Sequence, residues 1–104
     1  MDSVKSVNKV PIRLNEERWA HIVENHCELA GQYHDVLDAV ATPNIVVKGF
    51  EGELLAIKKI SGHKHLVVVY KEIRKSDGFV ITAFISSKVA KLMRRKILWK
   101  QEER

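Results

Sequence analysis

Residues 45–85 read IVVKGFEGELLAIKKISGHKHLVVVYKEIRKSDGFVITAFI, and this stretch decides the fold. Four runs rich in Val, Ile, Leu, Tyr and Phe are parted by short clusters of turn formers. Ile45–Lys48 is followed by Gly49-Phe50-Glu51-Gly52, Glu53–Ile60 by Ser61-Gly62-His63-Lys64, and His65–Ile73 by Lys75-Ser76-Asp77-Gly78; Phe79–Ile85 completes the set. β-Branched and aromatic side chains suit a pleated surface, and glycine supplies the backbone freedom of tight turns. Turns this short join antiparallel neighbours, so the stretch predicts a four-stranded antiparallel meander.

Upstream, the periodicity changes from two to about 3.6. Asn15 is a good N-cap, with Glu16 and Glu17 in the positive first turn of a helix that runs to about His26. At about 100° per residue, Trp19, Ile22, Val23 and His26 share one stripe, and His21 falls nearly opposite. Either His26 faces the core, or the helix ends early and His26 sits in the following loop. Gly31 breaks the chain, and Tyr33–Ala41 forms a second helix through Val36, Leu37 and Val40, stopped by Thr42-Pro43-Asn44. Val10–Leu14 is extended, because Pro11 disfavours helix before it. Residues 1–9 are polar and read as loose. Downstream, Ser86 or Ser87 caps a helix over Lys88–Arg95, whose Val89, Leu92 and Met93 make an apolar stripe under a basic face. Lys96–Lys100 continues that helix or returns as an edge strand, and its Ile and Trp favour the strand. The expected fold is α+β, a single domain over 1–104, with two N-terminal helices packed on the meander and a basic C-terminal helix.

The turns also imply a register. Pairing Ile60 with His65 sets Lys58 opposite Val67, and pairing Arg74 with Phe79 sets Lys71 opposite Thr82. Alternation then puts Leu55, Ile57, Leu66, Val68, Tyr70, Phe79, Ile81, Ala83 and Ile85 on an apolar face that receives the helices. Lys58, Lys71, Thr82 and Ser86 are the polar members of the other face. Lysines and hydroxyls converging there would suit an anion, and a solvent-facing sheet with scattered polar residues is the plain alternative. A single β-bulge would reassign any of them.

The chain has 104 residues, a formal charge of +5 and 30% charged residues. That length holds one core without staples. The charge suits a polyanion, RNA or DNA rather than a membrane, with a merely soluble surface as the plainer alternative. Cys27 is the only cysteine, so no disulfide or cysteine zinc site forms within one chain, which fits a reducing cytoplasm; it reads as a small buried hydrophobe. The N-terminus has no apolar signal segment, and no apolar run approaches the ~20 residues of a membrane span. His21 and His26 are five apart, not the three or four that put metal ligands on one helical face, so no metal and no cofactor is expected. His63 and His65 read as surface residues of a hairpin turn.

Trp19-Ala20-His21-Ile22 with Asn25-His26, then Pro43-Asn44-Ile45, Leu66–Tyr70 and Val80-Ile81-Thr82-Ala83-Phe84, resembles the small phage- and toxin-associated nuclease-like domains of the barnase/EndoU/colicin/RelE superfamily. The resemblance spans roughly Ile12–Trp99, and the order and spacing of short motifs carry it. Similar sequences often have proline after the second histidine, where this chain has Cys27, which leaves the local loop geometry open. The resemblance implies helices on a four-stranded antiparallel sheet and metal-independent RNA cleavage, often by toxins. Such cleavage takes a proton from a 2′-hydroxyl, gives one to the leaving 5′-oxygen and stabilises the charge on phosphorus. The expected site is His21 and His26 for acid–base work, Lys58 for charge and Thr82 on the phosphate, with His21, His26 and Thr82 resting on the resemblance. His26 reads equally as a core histidine. Lys71 and Ser86 are expected as further RNA contacts. Lys88, Arg94 and Arg95 belong to the densest basic run, which suits an RNA backbone or an acidic antitoxin or immunity protein. An RNA-binding or partner-binding domain without cleavage is the competing expectation.

Overall fold

The computed structural model describes residues 2–102. In chain order they form β1 (Asp2–Lys5), β2 (Pro11–Leu14), α1 (Glu16–Asn25), α2 (Tyr33–Ala41), β3 (Ile45–Lys48), β4 (Leu54–Ser61), β5 (Lys64–Arg74), β6 (Asp77–Ser86) and β7 (Ile97–Lys100), with single 3-10 turns at Cys27–Leu29 and Leu92–Arg94. The α+β class and both N-terminal helices are as the sequence reads. The sheet is larger than a four-strand meander: seven strands in the order β1-β2-β6-β5-β4-β3-β7. β3 to β6 pair antiparallel in sequence order. β1 pairs antiparallel with β2, β7 antiparallel with β3, and β2 parallel with β6, so the sheet is mixed.

The N-terminal extension corrects the loose segment read over 1–9, of which Met1 lies outside the described residues. Ser6 holds it. Its buried hydroxyl donates to Glu72 Oε2 at 2.5 Å and accepts the N–H groups of Asn8 and Val10, both at 3.3 Å. A polar turn thus replaces water with directed hydrogen bonds, and β1 folds back on β2. At the parallel joint Ile12 stands opposite Gly78, where a Cβ would lie 2.5 Å from Ile12 Cδ1 and 2.6 Å from the Lys71 carbonyl oxygen. Only glycine lets the two backbones approach so closely.

Asn15 caps α1, its Oδ1 accepting the Arg18 N–H at 2.8 Å. The helix ends at Asn25: His26 leaves helical geometry at φ −137° and ψ 71°, though its N–H still donates to Ile22 O. Ile22 is buried, and the Trp19 ring meets Tyr33 edge-on at 5.4 Å. Tyr33 opens α2 and donates to Leu14 O at 2.7 Å, tying the second helix to β2. Val36, Leu37, Ala39 and Val40 are the buried face of α2. Cys27 is exposed, not a buried hydrophobe, because it lies in the turn after α1 rather than on the helix stripe.

Bulges in β4, β5 and β6 rearrange the sheet faces. Lys59 pairs with His65 and Ser61 with Lys64, leaving Ile60 as the extra residue. Lys58 therefore stands opposite Leu66, not Val67, and β4 is turned over relative to the expected register. Ala56, Leu66, Val68, Tyr70, Val80 and Ala83 share the main core with both helices, whereas Leu55, Ile57 and Val67 belong to a second core on the opposite face. On the next ladder Arg74 pairs with Asp77 and Glu72 with Gly78, leaving Ile73 extra, so Lys71 faces Phe79 instead of Thr82; further on, Tyr70 pairs with Val80 and Val69 with Thr82, leaving Ile81 extra.

No C-terminal α-helix occurs among the described residues. Residues 87–96 cross the second face of the sheet, and Val89, Leu92 and Met93 pack there against the cluster that includes Ile45, Val47, Ile57 and Phe84. Their i, i+3, i+4 spacing serves a covering segment as well as a helix. A helix here would be short and would stack Lys88, Lys91, Arg94 and Arg95 at repulsive spacings without an acidic partner. Ser86 Oγ accepts the Lys88 N–H at 3.0 Å, so the expected cap shapes only a turn. The expected edge strand is present as β7.

Candidate functional site

β2 pairs with β6 only at Gly78 and Phe79, so among the described residues the rest of that edge of β6 has no strand partner. The first helix lies beside it. Arg18 Nη1 reaches the Ile81 carbonyl at 3.5 Å, and Arg18, His21, Ile22, Asn25, Ile81 and Thr82 line one groove. Arg18 and His21 also border a recess with Asn15 and Glu17, and Arg18 a further one with Arg13 and Phe79. A shallow polar trough thus follows α1. His21 is exposed, flanked one turn away by Glu17 and by Asn25, whose Nδ2 donates to the His21 carbonyl at 3.0 Å. Arg13 is held by an ion pair with Asp77, its guanidinium 5.8 Å from the Phe79 ring centroid.

The early end of α1 settles how the two histidines stand. His26, half-buried, packs its ring against Phe84 at 6.1 Å between centroids, with Nδ1 3.8 Å from Glu28 Oε2. Thr82 and Phe84 are i, i+2 neighbours on one face of β6, roughly 7 Å apart by strand rise. His21 and His26 therefore address adjacent positions of the same strand, although only His21 lines the groove with Thr82. His63 and His65 are on the β4–β5 turn, where His65 Nδ1 lies 3.0 Å from the His63 carbonyl.

Lys58 is elsewhere. The bulge at Ile60 turns it to the helix side, where Nζ donates to Asp38 Oδ2 at 2.5 Å and to Thr42 Oγ1 at 2.8 Å. It joins Asp35, Asp38 and Lys59 in a separate recess. Lys71 is exposed opposite Phe79, and Ser86 is partly buried opposite His65. Arg94 and Arg95 lie far from the trough along the chain crossover, in a cleft with Lys48, Phe50, Lys91 and Lys96, and Lys88 is exposed at the start of that crossover. Thr82 and His21 are brought together as expected; Lys58 is not. Arg18 is the cation that lines the groove with His21, and the sequence reading did not single it out. Its signal was available: three positions before His21, it shares a helical face with it.

Among the described residues no three His, Cys, Asp or Glu side chains converge to hold a metal ion, and no helix is long and apolar enough to cross a membrane. No family model, curated protein or solved structure gives a significant match to this chain.

Proposed function

We propose that this chain is a metal-independent endoribonuclease, a toxin or phage-derived effector, working in the trough between α1 and β6. One observation carries the reading: His21, Arg18 and Thr82, from two elements far apart in sequence, line a single groove. The motif resemblance to the barnase/EndoU/colicin/RelE superfamily adds to it. In this scheme one histidine takes the proton of the 2′-hydroxyl as its oxygen forms a bond to phosphorus. The bond to the 5′-oxygen breaks, and the other histidine returns a proton to it. His21 fills one role and His26 the other. Arg18 offsets the extra charge on the phosphorane, the part first given to Lys58, and Thr82 donates to a non-bridging oxygen. Products would carry 2′,3′-cyclic phosphate and 5′-hydroxyl ends.

The test is total RNA incubated in EDTA with wild type, His21→Ala and Arg18→Gln. Cleavage by the wild type, abolished in His21→Ala and cut at least tenfold in Arg18→Gln, supports the scheme. Undiminished cleavage by His21→Ala sinks it. The engagement of His26 with Phe84 and Glu28 favours a second reading, an RNA-binding domain on the same fold that does not cleave. Salt-sensitive RNA binding without products in any buffer would select that reading.

A further inference from the structure

The end of the sheet opposite the trough carries a second constellation. The β3–β4 turn, Gly49-Phe50-Glu51-Gly52, folds around Glu53, whose Oε1 accepts the Glu51 N–H at 2.7 Å. That bond is the main cause holding the Glu53 carboxyl below its usual range. A Cβ on Gly49 would collide with the Glu53 side chain, so this seat for the Glu53 carboxylate depends on the glycine. The result is a turn that presents Phe50 outward, 83% exposed, whereas the other exposed large hydrophobics, Ile60, Ile73, Ile97 and Leu98, stand at 44–48%. Exposing a phenyl ring is costly, and the turn is built to do it.

Phe50 is not bare. The Arg95 guanidinium lies over its ring, 3.6 Å from the centroid. Arg95 Nε donates to Lys48 O at 2.5 Å, and the Lys48 N–H donates to Lys96 O at 2.9 Å. The guanidinium is thereby tethered to the backbone joint between β3 and the crossover. Lys48, Lys91, Arg94, Arg95 and Lys96 line the cleft beside Phe50, and none of them forms an ion pair among the described residues. The acids at this end are Glu51 and Glu53, and Glu53 is turned into the loop.

We infer that this cleft binds single-stranded RNA, a base stacking on the Phe50–Arg95 pair while Lys91, Arg94 and Lys96 take the flanking phosphates. With the guanidinium over one face of the phenyl ring, the stack still presents open planar faces, and every nucleobase has a face to lay on them. Cations without the aromatic would suit any polyanion; the displayed ring selects unpaired bases. The crossover that bears Lys88, Lys91 and Arg94 starts at the end of β6, where Phe84 meets His26, and ends at Phe50. It spans β6, β5, β4 and β3, about 14 Å across the sheet at roughly 4.8 Å per strand. The inference rests on RNA being the ligand of this chain, and not on cleavage.

The test uses a short fluorescent 2′-O-methyl-RNA strand, which lacks the nucleophile and so reports binding alone. Phe50→Ala is expected to weaken binding roughly 5- to 100-fold, Phe50→Leu similarly, and Phe50→Tyr to keep it. A perfectly paired duplex should not distinguish Phe50→Ala from wild type. The double variant Lys91→Gln, Arg94→Gln should lower the slope of log affinity against log salt by about 1.4. Because Phe50 is exposed, its variants should melt with the wild type. Wild-type affinity in Phe50→Ala overturns the stacking site and leaves the RNA reading standing. A polyglutamate peptide that displaces the strand at equal concentration overturns it in favour of an acidic protein partner. Wild type that binds no strand at any salt overturns the RNA reading and this site together.

Discussion

Tyr70 sits at the centre of β5, fully buried, and its hydroxyl has no hydrogen-bond partner among the described residues. Burial pushes the phenol up from its ordinary range, and the nearby Glu72 charge adds to the shift. The consequence for stability has a definite sign. Below pH ~10 both folded and unfolded chains hold the proton, and the preference for the neutral phenol costs nothing. Above it the unfolded chain releases the proton first, and stability falls by about 1.4 kcal/mol per pH unit until the folded phenol also titrates. Tyr70→Phe removes both the unpaired hydroxyl and this linkage. The variant should be more stable by about 1 kcal/mol at neutral pH, and its advantage should widen between pH 10 and 11. Tyr33, raised mainly by desolvation, acts in the same direction in both proteins and drops out of the difference. Parallel melting curves for the pair across pH 8–11 would refute the account.

At the scale of elements, the strands and helices were legible where one period rules a whole segment. Asn15 capping α1, α2 over Tyr33–Ala41 and the turns at 49–52 and 61–64 all follow from local chemistry. The errors of register and strand pairing share a cause: one residue decided a long-range relation. Ile60, left out of the ladder, turns β4 over and carries Lys58 from the expected anion site to Asp38. Ser6 and Glu72, 66 residues apart, hold a hairpin whose strands look polar and loose on their own. Gly78 reads as a turn glycine but marks where β2 meets β6 in parallel. Gly78→Ala should therefore cost more than a turn substitution: about 2–3 kcal/mol, because backbone on the Lys71 side cannot give way as a side-chain tip can. Equilibrium urea unfolding measures it. A cost below half a kcal/mol would mean the joint is loose, and the open edge of β6 beside α1 would need another explanation.

The molecule as a whole is one sheet with two unequal covers. The helices bury a main core that includes Ile12, Leu14, Ile22, Val36, Tyr70 and Val80, while the crossover buries a smaller core around Val47, Ile57, Val67 and Val89. The trough lies between α1 of the first cover and β6, and the Phe50–Arg95 cleft belongs to the second cover. Separate covers allow separate failure. Val89 is 6% exposed, and an aspartate there would bury an unpaired carboxylate at a cost of several kcal/mol. Residues 87–96 hold the face by few buried side chains, so releasing them costs less than keeping that charge buried. Val89→Asp should therefore detach the crossover while α1, α2 and β5 stay folded. Amide exchange should quicken over residues 88–100 and along β3, which loses its β7 partner, and stay slow in Ile22, Val36 and Val68. Arg95 would leave Phe50, and single-strand affinity should fall at least as far as in Phe50→Ala. Cleavage should fall as well, because the Phe84 that seats His26 packs in the same core as Val89. Loss of exchange protection throughout the chain would show instead that the two cores fold as one, and that the second cover is a structural necessity for the trough itself.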